Sequence, residues 1–246
     1  MELATNIFLL LLGISILVWG ANKFVDHASV IAKHIGISDL VVGLTLIAFG
    51  TSAPEIFVGI SSIINSNEEI AVGTAIGSNI SNIALIFGVS CLYLTQPSKT
   101  QLWNLMPFGL SIVLLGLTLA DGEISINESM GFIGILMIFM FVLSKTDGLA
   151  EEETETENDF RRSLLLSLIG LIALIAGANI AVIYAEQSAL LLGVPQLIIG
   201  LTIIALGTSL PELAATVAAL RRGKHQMVVG NIIGSNVFNL VFIIPM

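Results

Sequence analysis

Charged side chains make up only 11% of the 246 residues. A soluble domain carries about 25% charged residues, so a surface that mainly faces water is excluded. Nine Lys and Arg stand against eighteen Asp and Glu, with no basic patch, which argues against nucleic-acid binding. The single cysteine, Cys91, excludes an intramolecular disulfide and a CxxC metal site; in its apolar stretch it reads as an inert core thiol. The three histidines, His27, His34 and His225, are scattered and suggest no metal cluster. No nucleophile elbow, phosphate loop or His-Glu metal motif occurs, so the chain does not read as an enzyme and no cofactor is expected. MELATNIFLL has neither the positive leader nor the small-residue cleavage site of a secretory signal. The first apolar run therefore reads as a retained span.

Apolar residues are abundant instead, at 55% of the chain with a mean hydropathy of +0.98. A helix that crosses a bilayer needs about 20 mainly apolar residues. Eight stretches qualify: 6–28, 39–63, 70–94, 104–121, 127–144, 163–188, 196–220 and 227–246. The expected class is an all-α membrane protein surrounded by a lipid bilayer. The polar stretch Ser144–Arg162 separates five spans from three. Its acidic run, Glu151–Asp159, lacks the spaced D-x-D-x-D-G ligands of a calcium loop and reads as a solvated linker. Lys and Arg concentrate in cytoplasmic loops. Lys33, Lys99, Lys145, Arg161, Arg162, Arg221, Arg222 and Lys224 all fall on one side of the eight spans, and Glu68, Glu69, Asp121, Glu123 and Glu128 on the other. This predicts a multi-pass protein of a prokaryotic cell (inner) membrane, with its N-terminus outside and the loop 145–162 in the cytoplasm.

An internal repeat organises the spans. GAN at Gly20–Asn22 recurs at Gly177–Asn179, GLTLIAFGTSAPE at Gly43–Glu55 recurs as GLTIIALGTSLPE at Gly200–Glu212, and GTAIGSNISN at Gly73–Asn82 recurs as GNIIGSNVFN at Gly230–Asn239. The offset is constant, with 177 − 20 and 212 − 55 both equal to 157. Five spans per unit is an odd number, so the second copy enters the membrane from the opposite side. Inverted repeats of this kind are typical of secondary transporters, whose sites lie at the repeat interface. The expected units are a first repeat over 1–144, a cytoplasmic loop over 145–162 and a second repeat over 163–246. The first copy runs to about Leu143, which puts the end of its partner at 143 + 157 = 300, beyond Met246. The second repeat is therefore expected to be truncated after its third helix.

The repeated segments have the chemistry of a cation site. Gly50 and Pro54 interrupt a helix in mid-span, because Gly frees the backbone and Pro removes a donor and clashes with the preceding turn. Carbonyls over Ala48–Thr51 are expected to lose their intrahelical donors, a loss tolerated in hydrocarbon only beside protein or a watery cavity. Thr51 and Ser52 add hydroxyls and Glu55 a carboxylate; Ala205, Thr208, Ser209 and Glu212 repeat the set from the opposite direction. Ser78 and Asn82 share one helix face, as do Ser235 and Asn239. These are hard oxygen donors, and calcium takes six to eight of them. The same cage suits a calcium ion or several sodium ions in smaller subsites. Ser52-x-x-Glu55 and Ser209-x-x-Glu212 also fit a capping box, and capping is expected there. Capping does not account for a carboxylate in mid-membrane, where acids mark ion or proton paths. Asn22 and Asn179 read as interhelical hydrogen-bonding residues, and Lys23 and Asp26 as a snorkelling or locally paired set.

GTSAPE with GSNISN, repeated as GTSLPE with GSNVFN, resembles the paired alpha-repeats of the sodium/calcium exchangers in the calcium/cation antiporter superfamily. The resemblance implies antiport of sodium against calcium by alternating access, with two inverted five-helix repeats. It implies Glu55 and Glu212 as carboxylates shared by both ions, and Thr51 and Thr208 as carbonyl donors to calcium. Ala48, Ser52, Ser78, Ala205, Ser209 and Ser235 would join those residues in the sodium sites, and Asn82 and Asn239 would complete a central ring. Asn239, where potassium-dependent relatives have Asp, argues against potassium coupling. Gly-Thr-Ser before the glutamate favours sodium over protons. A calcium/proton exchanger and an ion-binding form that does not transport remain as alternatives.

Overall fold

The computed structural model describes residues 2–64, 68–93, 102–120, 124–145, 157–199, 202–203 and 205–245. Residues 146–156, with most of the expected acidic linker, lie outside them. The described residues form the helices α1 Glu2–Ile35, α2 Asp39–Thr51, α3 Ala53–Ile64, α4 Glu69–Cys91, α5 Met106–Thr118, α6 Ile126–Lys145, α7 Glu157–Leu191, α8 Gln196–Ile199, α9 Ala205–Gly207, α10 Leu210–Arg221 and α11 His225–Ile243. Five of them are long and apolar enough to cross a membrane, and the bent pair α2–α3 makes a sixth span. α5 is shorter, at 13 residues. Pro107 sits in its first turn and sets its start, after a 3-10 turn over Leu102–Leu105.

α1 and α7 run 34 and 35 residues, well past the expected 6–28 and 163–188. At 1.5 Å per residue each reaches about 50 Å, against about 30 Å of hydrocarbon. An apolar window measures the membrane and not the helix, and a nucleated helix propagates cheaply through polar flanks until something stops it. Here the stop is a glycine. Gly36 and Gly193 have φ of 72° and 78°, and the following amides reach back across the last turn, Ile37 N–H to the Ala32 carbonyl and Val194 N–H to the Ala189 carbonyl, both at 3.0 Å. This is a glycine C-cap used at the same place in both repeats.

α1 and α7 pack against each other through four glycines. A methyl group on Gly20 would lie 2.4 Å from the Leu174 nitrogen, and one on Gly177 would lie 2.3 Å from the Leu17 nitrogen. Gly13 meets Gly177 while Gly20 meets Gly170, so the two helices are antiparallel and their backbones touch. They occupy equivalent repeat positions, and their opposition is the inversion read from the sequence. α2 and α11 make a second close contact, at Gly43, Gly230 and Gly234. α11 is the central element, with 83% of its apolar window buried against 39% for its repeat mate α4. One buried cluster joins α1, α7, α10 and α11 around Phe24, Leu174 and Met227. The other joins α2, α4, α6 and α11 around Leu44, Phe132, Phe139 and Phe238. Cys91 is not a core thiol: it ends α4 and is exposed on the outside of the bundle.

Candidate cation-binding site

The interruption expected at GTSAPE is a bend of 47° between α2 and α3. Its hinge is Ser52, with φ −82° and ψ 3°. The hinge of the second copy is Ser209, with φ −87° and ψ 5°. Both occupy the sparsely populated region between helix and strand, often used by functional residues. Pro54 and Pro211 lack the N–H that would have served the carbonyls of Gly50 and Gly207. The expected freeing of carbonyls is narrower than Ala48–Thr51, because the Ala48 carbonyl keeps the Ser52 N–H at 3.0 Å. The turn completes before the break and takes Ala48 with it.

The bends bring both glutamates inside. Glu55 and Glu212 are 0% and 1% exposed. Ser52 Oγ donates to Glu212 Oε1 at 3.1 Å, linking the first repeat to the second. Ser78 Oγ approaches Glu55 Oε1 at 3.4 Å. Thr51, Ser52, Ser78, Ser209, Ser235, Asn82 and Asn239 are all buried, as is Ala48. Thr208 is half-buried, and Ala205 opens α9. The capping boxes expected at these glutamates are not formed: Ser209 makes no side-chain cap, and Ser52 turns to Glu212. A capping box exists elsewhere, at Ser125 and Glu128, where Glu128 Oε2 accepts the Ser125 N–H at 2.8 Å and Ser125 Oγ accepts the Glu128 N–H at 3.3 Å.

Much of the buried oxygen is unserved by protein donors. Glu55 Oε2, Glu212 Oε2, Ser209 Oγ and both side-chain polar atoms of Asn82 and Asn239 have no hydrogen-bond partner among the described residues. Native proteins satisfy most buried polar groups, and each exception needs a reason. Among the described residues neither glutamate is paired with a base. Two ion pairs among the described residues, Asp26–Arg222 and Lys224–Asp39, lie away from this site. Nor does any group of three or more His, Cys, Asp or Glu side chains occur there. The donor set is two carboxylates among neutral oxygens, suited to hard cations.

Three features escape a reading of repeats. Asn82 and Asn239 each begin a π-helical stretch, Asn82–Phe87 and Asn239–Ile243. The wider turn re-aims each amide, and such bulges recur at functional sites. Asn79 Nδ2 donates to the Asn236 carbonyl at 3.2 Å, a contact between residues at equivalent repeat positions. Asn231, buried, touches Thr51, Glu212, Thr216 and Ser235. Its repeat mate is Thr74, so the repeat gives no signal for it. Asn22, expected to bond between helices, does so by accepting from Arg222 Nη1 at 2.9 Å. Asn179 instead donates within its own helix, to the Ile175 carbonyl at 3.1 Å. Asp26 pairs with Arg222 and not with neighbouring Lys23.

The profile of the family described as sodium/calcium exchanger protein matches residues 5–145 and 162–246, omitting the acidic segment between them. The putative antiporter CaxA of Alkalimonas amylolytica is 36% identical, over 98% of this chain and 79% of its own length. The sodium/calcium exchanger MaX1 of Methanosarcina acetivorans is 32% identical, over 98% of this chain and 82% of its own. Among solved structures, the sodium-calcium exchanger NCX_Mj soaked with 2.5 mM Na+ and 0.1 mM Ca2+ superposes with a TM-score of 0.86 at 32% identity, covering 98% of this chain and 80% of that one.

Proposed function

The chain belongs to the sodium/calcium exchanger family, a family of membrane transporters, and from that premise we propose that it exchanges sodium for calcium by alternating access. The observation that carries the reading is the pair of buried carboxylates, Glu55 and Glu212, each with an oxygen that no donor among the described residues serves. Two negative charges buried without a base are costly until positive charge arrives. One calcium ion supplies two positive charges at once; sodium ions supply them singly, in smaller subsites. A cage that accepts either ion but not a full set of both couples their movements.

In this reading Glu55, Glu212 and the carbonyls of Thr51 and Thr208 hold calcium. Sodium uses the same four residues together with Ala48, Ser52, Ser78, Ala205, Ser209 and Ser235, and Asn82 and Asn239 close the ring. Position supports the set: Ser78 of α4 approaches Glu55 and Asn231 of α11 approaches the Glu212 carbonyl, so each glutamate faces a helix that carries further members. The N-terminus lies outside and the loop 145–162 in the cytoplasm. The support is that α1's final turns, the first turns of α7 and the α10–α11 turn cluster at one end of the bundle, through His34–Phe160, His27–Ser163 and Asp26–Arg222. This end carries Lys33, Arg161, Arg162, Arg221, Arg222 and Lys224, basic residues that concentrate on the cytoplasmic side.

The test is uptake by the purified chain in vesicles. An outward sodium gradient should drive calcium in against its own gradient. Uptake indifferent to sodium but driven by protons would make it a calcium/proton exchanger. Calcium binding without flux would leave an ion-binding form that does not transport.

A further inference from the structure

We propose that Asn231 is a positioning residue, a strut between the two repeats that sets the width of the cage and hence which divalent ion fits it. The proposal rests on the cation-binding reading of the site. Asn231 sits in α11 and is 2% exposed. Its amide orientation follows from its neighbours. The Glu212 backbone carbonyl, 3.5 Å away, only accepts, so it faces Nδ2, which also donates to Thr216 Oγ1 at 3.0 Å. The oxygen is left for the hydroxyls of Thr51 at 3.4 Å and Ser235 at 3.5 Å. One side chain thus joins the bend of the first repeat to the glutamate of the second.

The strengths are unequal. The bond to Thr216 has the length of an ordinary hydrogen bond, whereas the other three contacts are long. Asn231 is therefore anchored at Thr216 and spans to Thr51 and Ser235. Thr51 adjoins Ser52, the residue that holds the Glu212 carboxylate. Fixing Thr51 relative to the Glu212 backbone fixes how far the two halves of the cage stand apart. Calcium needs oxygens at about 2.3–2.6 Å and magnesium at about 2.0–2.1 Å, so the stiffness of that spacing is a selectivity for ionic size.

The strut exists on one side only. The repeat mates of Asn231 and Thr216 are Thr74 and Gly59. In place of a hydroxyl, Gly59 has Ile243 pressed against it, 2.8 Å from where a methyl group would stand. No equivalent bridge can form between Thr74 and Gly59, and the cage is held to width by its second half.

The experiment measures the ratio of Ca2+ to Sr2+ affinity by calorimetry on the purified full chain. A ratio does not depend on the fraction of protein that is folded, so a purely structural loss leaves it unchanged. Asn231→Leu, similar in size but without hydrogen bonds, should move the ratio toward unity by about fivefold, the worth of one net hydrogen bond. Thr216→Val should move it in the same direction, and Thr216→Ser should keep the wild-type ratio. Wild-type ratios in both Asn231→Leu and Thr216→Val would overturn the strut while leaving the cation site standing. Absence of Ca2+ binding in the wild-type chain would overturn both.

Discussion

Ser52 is the smallest group on which much of the site depends. It forms the hinge of the first broken span, and its hydroxyl holds a carboxylate that belongs to the other repeat. A hydrogen bond to a charged group contributes about 1.5–3 kcal/mol, so Ser52→Ala should weaken calcium binding about tenfold or more by titration calorimetry. Glu55→Gln and Glu212→Gln each remove one of the two charges that balance the ion; calcium binding should disappear in both, and normal affinity in either would reject the site. The glutamates and their flanking hydroxyls were legible because each occurs twice at one offset in an otherwise apolar chain. Asn231 and Thr216 were not, since their mates are Thr74 and Gly59 and a repeat reveals only what both copies keep. The capping box was misplaced for a related reason. Ser-x-x-Glu occurs at 52, 66, 125 and 209, and sequence alone does not say which glutamate is drawn into a neighbouring helix and which is free to turn back.

Among the helices, the closest approaches are those of α1 on α7 and α2 on α11, and both rely on glycine. Gly20→Ala would put its methyl group 2.4 Å from a backbone nitrogen that cannot swing aside. Overpacking of this kind costs about 1–3 kcal/mol, so the variant should melt several degrees lower in detergent. Gly116→Ala in α5 is the control. A methyl group there meets nothing within 4 Å, and Ala favours a helix over Gly by about 1 kcal/mol, so its melting temperature should hold or rise. Helices within the eight apolar stretches, six of them long enough to span among the described residues when the bent pair is counted as one, and both interruptions could be anticipated from apolar length and from Gly and Pro. The ends of α1 and α7 and the π-helical turns could not. Hydropathy stops where hydrocarbon stops, and a π turn is a matter of one extra residue in a register that only packing decides.

At the scale of the whole molecule, sidedness is open to a direct check. Cys91 is exposed, so labelling requires a Cys91→Ser background. On it, Arg221→Cys should react with an impermeant maleimide only from the cytoplasmic face, and Asn127→Cys only from outside; reversed labelling would turn the protein over. The four charges of Asp26–Arg222 and Lys224–Asp39 tie α1 and α2 to the α10–α11 turn, so they join the two repeats at one face. The inversion itself was readable, because an odd number of spans per copy leaves no other arrangement.

The contact between Asn79 and Asn236 joins equivalent residues, so it lies where the two repeats meet their own image. There it is lopsided: Asn79 gives its amide to the Asn236 carbonyl, while Asn236 gives its own to Ile232, one turn back in the same helix. When two inverted repeats trade conformations, residue numbers trade by the same rule. Asn236 must then donate to the Asn79 carbonyl, and Asn79 to Ala75. A carbon-13 label on the Asn236 carbonyl should register the change as an infrared shift between sodium-loaded and calcium-loaded protein. Under the alternating access proposed above, the asparagine that gives its amide is a weathervane, expected to swing with the side the molecule faces.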